Sequence, residues 1–103
     1  MKTIRNLFEF EWDQGNIEKN FKKHQITDKA AEEVFFDERR FIFKDRVHSE
    51  NEERLRIIGK TKNKTILFVV FTKRKNKIRI ISARKTNRKE ARLYEKKVSS
   101  PRV

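Results

Sequence analysis

The sequence predicts an α+β fold with helices packed on one side of an antiparallel sheet. Two patterns lead to this prediction. Apolar residues recur at helical spacing over 15–36 and after residue 87, whereas residues 39–84 alternate with period two. The predicted order is a short strand, two helices, a meander of strands and one last helix. The 103 residues are one domain's length, so we predict a single domain over 1–103 with a flexible tail at 98–103.

The first third of the chain contains the short strand and two helices. In "LFEFEW", residues 7–12, the aromatic residues share one side and the two glutamates share the other, which predicts a half-buried strand. Apolar residues at helical spacing then predict helices over about 15–24 and 28–36. Thr27 is placed to cap the second helix.

Period-two segments fill the middle of the chain, and Asn63 and Asn76 stand in the two hairpin turns between them. The segment at 66–72, "ILFVVFT", is apolar on both faces, which predicts the central strand of the meander. The pair Asn87 and Glu90 resembles a capping box before a last helix over about 88–97.

Charge is distributed unevenly along the chain, whose formal net charge is +13. Residues 1–59 hold 12 basic and 13 acidic side chains, whereas residues 60–103 hold 16 basic and 2 acidic ones, a net charge of +14. Charges on an ordinary surface are mixed in sign. The asymmetry favours an anionic partner, nucleic acid above all, over a surface that is merely solvated.

Several classes of function are disfavoured by the composition. The chain has no cysteine, which removes disulfides and thiol chemistry, and two scattered histidines predict no metal site and no cofactor. The longest uninterrupted apolar run, at 66–71, is too short to span a membrane, and the first residues lack the apolar region of a signal peptide. We therefore expect a cytoplasmic protein with no membrane partner.

Several motifs together resemble the BrnT toxins over roughly residues 10–96. They are "FEWD", "NFKKH", "EEVFFD", "HSENEERLRIIG" and "IRIISARK", followed by Glu90 and Tyr94 in the last helix. The chain departs from the family pattern at four positions, where glycine or proline is usual. These are Gln25, Glu38, Asn63 and Asn76.

The resemblance implies the toxin half of a type II toxin–antitoxin system. It implies a RelE-like fold and a metal-independent endoribonuclease that cleaves RNA and arrests growth. It also implies neutralisation by a ribbon-helix-helix antitoxin similar to BrnA, which we expect to form a heterotetramer of two toxins and two antitoxins. Charge alone supports an alternative, a non-catalytic basic module that binds nucleic acid or ribosomes.

Cleaving RNA without a metal needs a base for the 2′-hydroxyl, cations for the phosphate and an acid for the leaving oxygen. Arginine suits the second task because it stays charged and binds two phosphate oxygens at once. We therefore predict Arg79 and Arg84, on the last strand, as catalytic cations. The resemblance adds Tyr94 on the helix that follows. Arg79 as an exposed strand residue and Tyr94 as a core residue remain the alternatives.

The segment before the second strand of the meander supplies the other catalytic candidates. His48 is the best acid–base candidate by its intrinsic pKa. Glu52 lies in the same "HSENEER" motif, and Arg54 begins the strand that follows. Four further basic residues are predicted to bind the RNA backbone: Lys23, Lys85, Arg88 and Arg92.

Overall fold

The structure is a computed structural model that describes residues 9–12, 14–45, 53–74 and 76–99. In chain order its elements are β1 (Glu9–Glu11), α1 (Gln14–His24), α2 (Asp28–Glu33), a 3-10 turn (Val34–Phe36), β2 (Phe41–Asp45), β3 (Arg54–Lys60), β4 (Ile66–Arg74), β5 (Lys77–Lys85) and α3 (Arg88–Ser99). This order confirms the predicted α+β fold. The last helix runs two residues beyond the predicted end. None of the helices in these ranges is long and apolar enough to cross a membrane.

The sheet has five strands in the order β1-β5-β4-β3-β2. Strands β2 to β5 form the predicted antiparallel meander, and β4 lies at its centre as the sequence predicts. Strand β1 pairs in parallel with β5, so the sheet is mixed. The N-terminal strand β1 is therefore the edge strand next to the basic strand β5.

Helices cover both faces of the sheet, so the prediction of helices on one side only is wrong. Ala31, Val34 and Phe35, from α2 and the 3-10 turn, pack on one face together with Ile57 of β3. Tyr94 of α3 packs on the opposite face. The physical reason lies in β4, which is apolar on both sides. Leaving either side exposed to water would cost free energy, so each side is covered. We call the side that bears Tyr94 the α3 face.

Gly59 allows the 3-10 turn to lie directly against β3. A Cβ atom at this position would stand 2.8 Å from the carbonyl oxygen of Val34 and 2.9 Å from its Cβ. Real Cβ atoms do not approach backbone this closely, so any side chain here would push the turn away from the sheet. The missing side chain thus sets the distance between β3 and the turn.

Local turn chemistry agrees with most of the predictions. The Thr27 hydroxyl accepts a hydrogen bond from the Ala30 amide at 3.1 Å, which confirms the predicted cap. In the β3–β4 hairpin the left-handed residue is Lys64, at φ 69°, one position after the predicted Asn63. Gln25, which follows α1 in place of the usual glycine, is also left-handed, at φ 58°. Glycine adopts this left-handed conformation after a helix without the strain that a side chain brings.

Candidate active site

A row of paired residues crosses all five strands on the α3 face. Arg79 of β5 pairs with Glu11 of β1 on one side and with Thr72 of β4 on the other. Thr72 in turn pairs with Arg54 of β3, which pairs with Asp45 of β2. Directly paired residues project from the same face of a sheet. This charged row therefore places one hydroxyl between two arginines, with a carboxylate outside each arginine.

A β-bulge in β5 brings Arg79 and Arg84 to the same face. Residues 79 and 84 are five apart, so strict alternation would place them on opposite faces. The register shifts, however, because Val70 pairs with Ser82 and its neighbour Phe71 with Ile80. One extra residue, Ile81, thus stands between the two pairs. The predicted cations Arg54, Arg79 and Arg84 consequently share the α3 face.

Arg56 is a further arginine on this face that the sequence-based selection missed. Its guanidinium lies 3.3 Å from the carboxylate of Asp45, which is only 3% exposed. The guanidinium also stands 5.5 Å from the ring centre of Phe68 and 5.9 Å from that of Phe43. Period-two alternation already places Arg56 beside Arg54, and that spacing was the signal that could have found it.

Two buried polar atoms on the α3 face have no hydrogen-bond partner. They are the Nε of Arg56 and the hydroxyl oxygen of Thr72. Thr72 is 1% exposed and lies at the middle of the charged row. Buried polar groups are nearly always hydrogen-bonded, so each exception needs an explanation.

Arg84 is held by the start of α3. Its two terminal nitrogens donate to the two carboxylate oxygens of Glu90, each at 2.8 Å, and its guanidinium lies 4.3 Å from the ring centre of Phe68. Glu90 also accepts from the Asn87 amide at 3.0 Å, and Asn87 accepts from the Glu90 amide at 2.8 Å. The predicted capping box is thereby confirmed. Burial opposes ionisation of Glu90, but the Arg84 and Asn87 donors prevail and lower its pKa, while Glu90 raises the pKa of Arg84.

Tyr94 is 4% exposed and donates its hydroxyl to the carboxylate of Asp37 at 2.6 Å. The same carboxylate accepts from the backbone amides of Lys60 at 2.8 Å and Arg39 at 2.9 Å. Burial, and then the hydrogen bond to Asp37, raise the pKa of Tyr94 well above its ordinary value. Tyr94 is therefore protonated at neutral pH, and its proton is already engaged. We call these contacts, together with the Arg84–Glu90 pair, the α3 anchor.

None of the other predicted residues that the structure describes is paired within the charged row. Lys85 is exposed at the last position of β5, six residues from Arg79 and therefore roughly 20 Å along the strand. Arg88 and Arg92 are exposed on α3, and Lys23 is exposed near the end of α1. His48 and Glu52 lie outside the described residues.

Metal ligation finds no support in the described ranges, which contain no cluster of three or more His, Cys, Asp or Glu side chains that could hold an ion. The charged row offers two guanidinium cations, one hydroxyl and two carboxylates. Arginines hold anions bidentately, so the row is suited to a phosphate or another oxyanion.

Comparison with known proteins gives one family and one fold. A family model described as the ribonuclease toxin BrnT of type II toxin–antitoxin systems matches residues 12–90. A crystal structure of the Brucella abortus ribonuclease toxin BrnT, at 1.1 Å resolution, is similar with a TM-score of 0.60 and 21% sequence identity. That match covers 77% of this chain and 96% of the Brucella chain. No curated protein matches the sequence.

Proposed function

Because the chain belongs to the BrnT family of ribonuclease toxins of type II toxin–antitoxin systems, we propose that it is a metal-independent endoribonuclease that arrests growth. The observation that supports the proposal most strongly is the charged row. Arg54 and Arg79 project from the same face on either side of Thr72. Cleavage of RNA needs oriented cations at the phosphate, and two arginines on rigid strands supply them.

The spacing of these arginines suits one phosphate. They stand on strands that flank β4, so their Cα atoms are about 10 Å apart. Two guanidinium groups that converge from this distance can each bind non-bridging oxygens of one phosphate and stabilise the charge that develops during cleavage. Arg56, on the same face and partly neutralised by Asp45, adds a third cation beside them.

We assign the acid–base roles to the segment between β2 and β3. His48 follows Asp45 by three residues and Glu52 precedes Arg54 by two, and Asp45 and Arg54 are paired within the charged row. A histidine can exchange a proton near neutral pH, which the arginines of the row cannot do.

Arg84 and Tyr94 receive a different role from the one that the sequence predicts. We propose that they position α3 and do not contact the phosphate. The two terminal nitrogens of Arg84 already donate to both carboxylate oxygens of Glu90, and the hydroxyl of Tyr94 already donates to Asp37.

Exposed basic residues outside the site are suited to contacts with the RNA backbone. We propose that Lys85, Arg88 and Arg92 bind the phosphates of the RNA strand beyond the cleaved one, and that Lys23 assists from α1. Their exposure suits contacts that carry no sequence information.

The proposed partner is a ribbon-helix-helix antitoxin similar to BrnA, in an assembly of two toxins and two antitoxins in the cytoplasm. A net charge of +14 over residues 60–103 favours an inhibitor that covers this half with acidic side chains. Complex formation should weaken as the salt concentration rises. An affinity that is the same at low and high salt would show that inhibition uses another surface.

The proposed activity is tested by incubating the purified protein with bulk RNA, with and without EDTA. Cleavage that persists in EDTA supports a metal-independent ribonuclease. Cleavage that EDTA abolishes contradicts metal independence. Intact RNA together with salt-sensitive binding would instead support the alternative, a basic module that binds nucleic acid without cutting it.

A further inference from the structure

We infer that the hydroxyl of Thr72 is a substrate contact, which donates a hydrogen bond to a non-bridging oxygen of the phosphate held by Arg54 and Arg79. This inference rests on the proposed function and names a substrate-binding residue that the sequence did not select. Thr72 lies on the central strand and pairs with both arginines, so the three side chains emerge side by side from one face.

The proton of the Thr72 hydroxyl has no acceptor. A hydroxyl has one proton to donate, and arginine has five N–H donors and no acceptor. Neither Arg54 nor Arg79 can therefore receive the Thr72 proton. A phosphate oxygen can receive it, and phosphate is also an anion that arginine side chains bind. The unpartnered Thr72 hydroxyl and the two arginines on the neighbouring strands thus point to the same ligand, a phosphate.

Two other threonines in the described ranges, one buried and one half-buried, have hydroxyls with a hydrogen-bond partner. The hydroxyl of Thr61, which is 8% exposed, accepts from the Thr65 amide at 3.2 Å. The hydroxyl of Thr86 donates to the Ile66 carbonyl at 3.3 Å. The hydroxyls of Thr61 and Thr86 are therefore satisfied, whereas that of Thr72, between the arginines, is not. Such exceptions to polar satisfaction concentrate at functional sites.

Thr72 is covered by its neighbours, since it is only 1% exposed. Arg54 and Arg79 are half-buried and stand on either side of it. Phosphate binding must therefore draw the covering side chains away from Thr72 as the guanidinium groups take the ligand. The hydroxyl then forms the floor of the phosphate site, with one arginine on each side.

The test is the Thr72→Val variant, which keeps the shape of the side chain and removes the hydroxyl. We expect its kcat/KM for RNA to fall about 10- to 100-fold, the effect typical of losing one hydrogen bond to a charged group. Its Tm should stay the same or rise, because an unsatisfied buried hydroxyl is removed. Thr72→Ser, which restores a hydroxyl, should keep kcat/KM within about threefold of the parent.

Thr61→Val is the matched control, because it removes a hydroxyl that has a partner. We expect the opposite pattern, a lower Tm with unchanged kcat/KM. The inference is overturned if Thr72→Val cleaves RNA like the parent, or if Thr72→Ser is as impaired as Thr72→Val. If the parent itself cleaves no RNA, the proposed function fails. Binding of a labelled oligoribonucleotide then decides on Thr72: about tenfold weaker binding by Thr72→Val supports the contact, and equal binding refutes it.

Discussion

The charged row and the α3 anchor lie on the same face of one sheet, about 13 Å apart along β4 from Thr72 to Phe68. In the α3 anchor the Tyr94 hydroxyl binds Asp37, and both terminal nitrogens of Arg84 bind Glu90. Near the charged row, the Thr72 hydroxyl and the Nε of Arg56 are buried without a partner. Satisfied polar groups stabilise a fold, whereas unsatisfied ones reduce its stability and concentrate at functional sites.

This difference separates stability from activity on a single surface. Substitutions in the α3 anchor should lower the free energy of unfolding. Substitutions of Arg54, Thr72 or Arg79 in the charged row should lower activity and leave stability nearly unchanged. The predictions below test that separation.

Arg79→Ala should have the largest effect on activity. Removing one oriented cation from such a site typically costs on the order of 10²–10³ in rate. We expect the variant to lose RNA cleavage and growth arrest while its circular dichroism spectrum matches that of the parent. Lys62→Ala, which removes the same charge in the β3–β4 hairpin, is the control and should remain toxic. A folded Arg79→Ala protein with full toxicity would move the active site away from the charged row.

Tyr94→Phe should have the largest effect on stability, a loss of about 1.5–3 kcal/mol, because it removes a hydrogen bond to a charged acceptor. The raised pKa of Tyr94 also sets a pH dependence. Its contribution is complete below the ordinary tyrosine pKa of about 10 and is lost as the pH rises through the higher folded value. Denaturant unfolding at pH 7 and above pH 10 measures both effects. In Tyr94→Phe, the part of the fall in the free energy of unfolding above pH 10 that comes from Tyr94 should disappear.

Catalysis gives the second measurement on Tyr94. The folded fraction of Tyr94→Phe should cleave RNA at close to the parental rate. A loss of rate as large as that of Arg79→Ala, without a loss of stability, would return Tyr94 to the catalytic residues.

Glu90→Ala should cost about 1–2 kcal/mol, since it removes the capping box and the partner of Arg84 together. The lowered pKa of Glu90 predicts that its contribution is present above the ordinary glutamate pKa of about 4.3 and is lost as the pH falls through the lower folded value. Urea unfolding of Glu90→Ala, Arg84→Ala and the double variant isolates the pair. Fully additive losses would show that Arg84 and Glu90 do not stabilise each other.

Lys85→Ala and Arg88→Ala should have the smallest effects. Each should reduce the slope of log K against log salt for RNA binding by about one unit and leave the rate constant of cleavage unchanged. Fluorescence anisotropy over a range of salt concentrations measures the slope. An unchanged slope would remove these two residues from the RNA-binding surface.

Local rules predicted much of the fold because the corresponding signals are local. The central strand follows from the apolar faces of β4, and both caps follow from Thr27 and from Asn87 with Glu90. These features depend on neighbours within a few residues. They formed as predicted because tertiary packing does not oppose them.

The candidate site could be predicted only in part, because two of its determinants are not local. The bulge at Ile81 changes which residues of β5 share a face, and no glycine marks it. The Tyr94–Asp37 hydrogen bond joins residues 57 positions apart, which sequence spacing cannot indicate. Arg79 and Arg54 were identified from charge and motif, and Arg56 could have been found from its period-two spacing from Arg54. Thr72 needed the register of the sheet.

Gly59 connects the packing on the two faces of the sheet, because it positions the 3-10 turn that leads to Asp37, the partner of Tyr94. Its missing side chain sets the height of the 3-10 turn on one face, and Asp37 follows that turn directly. Asp37 is joined to the adjacent Lys60 amide and receives the Tyr94 hydroxyl from the other face. A change of volume at Val34 or Gly59 should therefore displace α3 without touching it. Positions 34, 59 and 94 are expected to vary in concert in related chains, as a single unit of selection that spans both sides of the sheet.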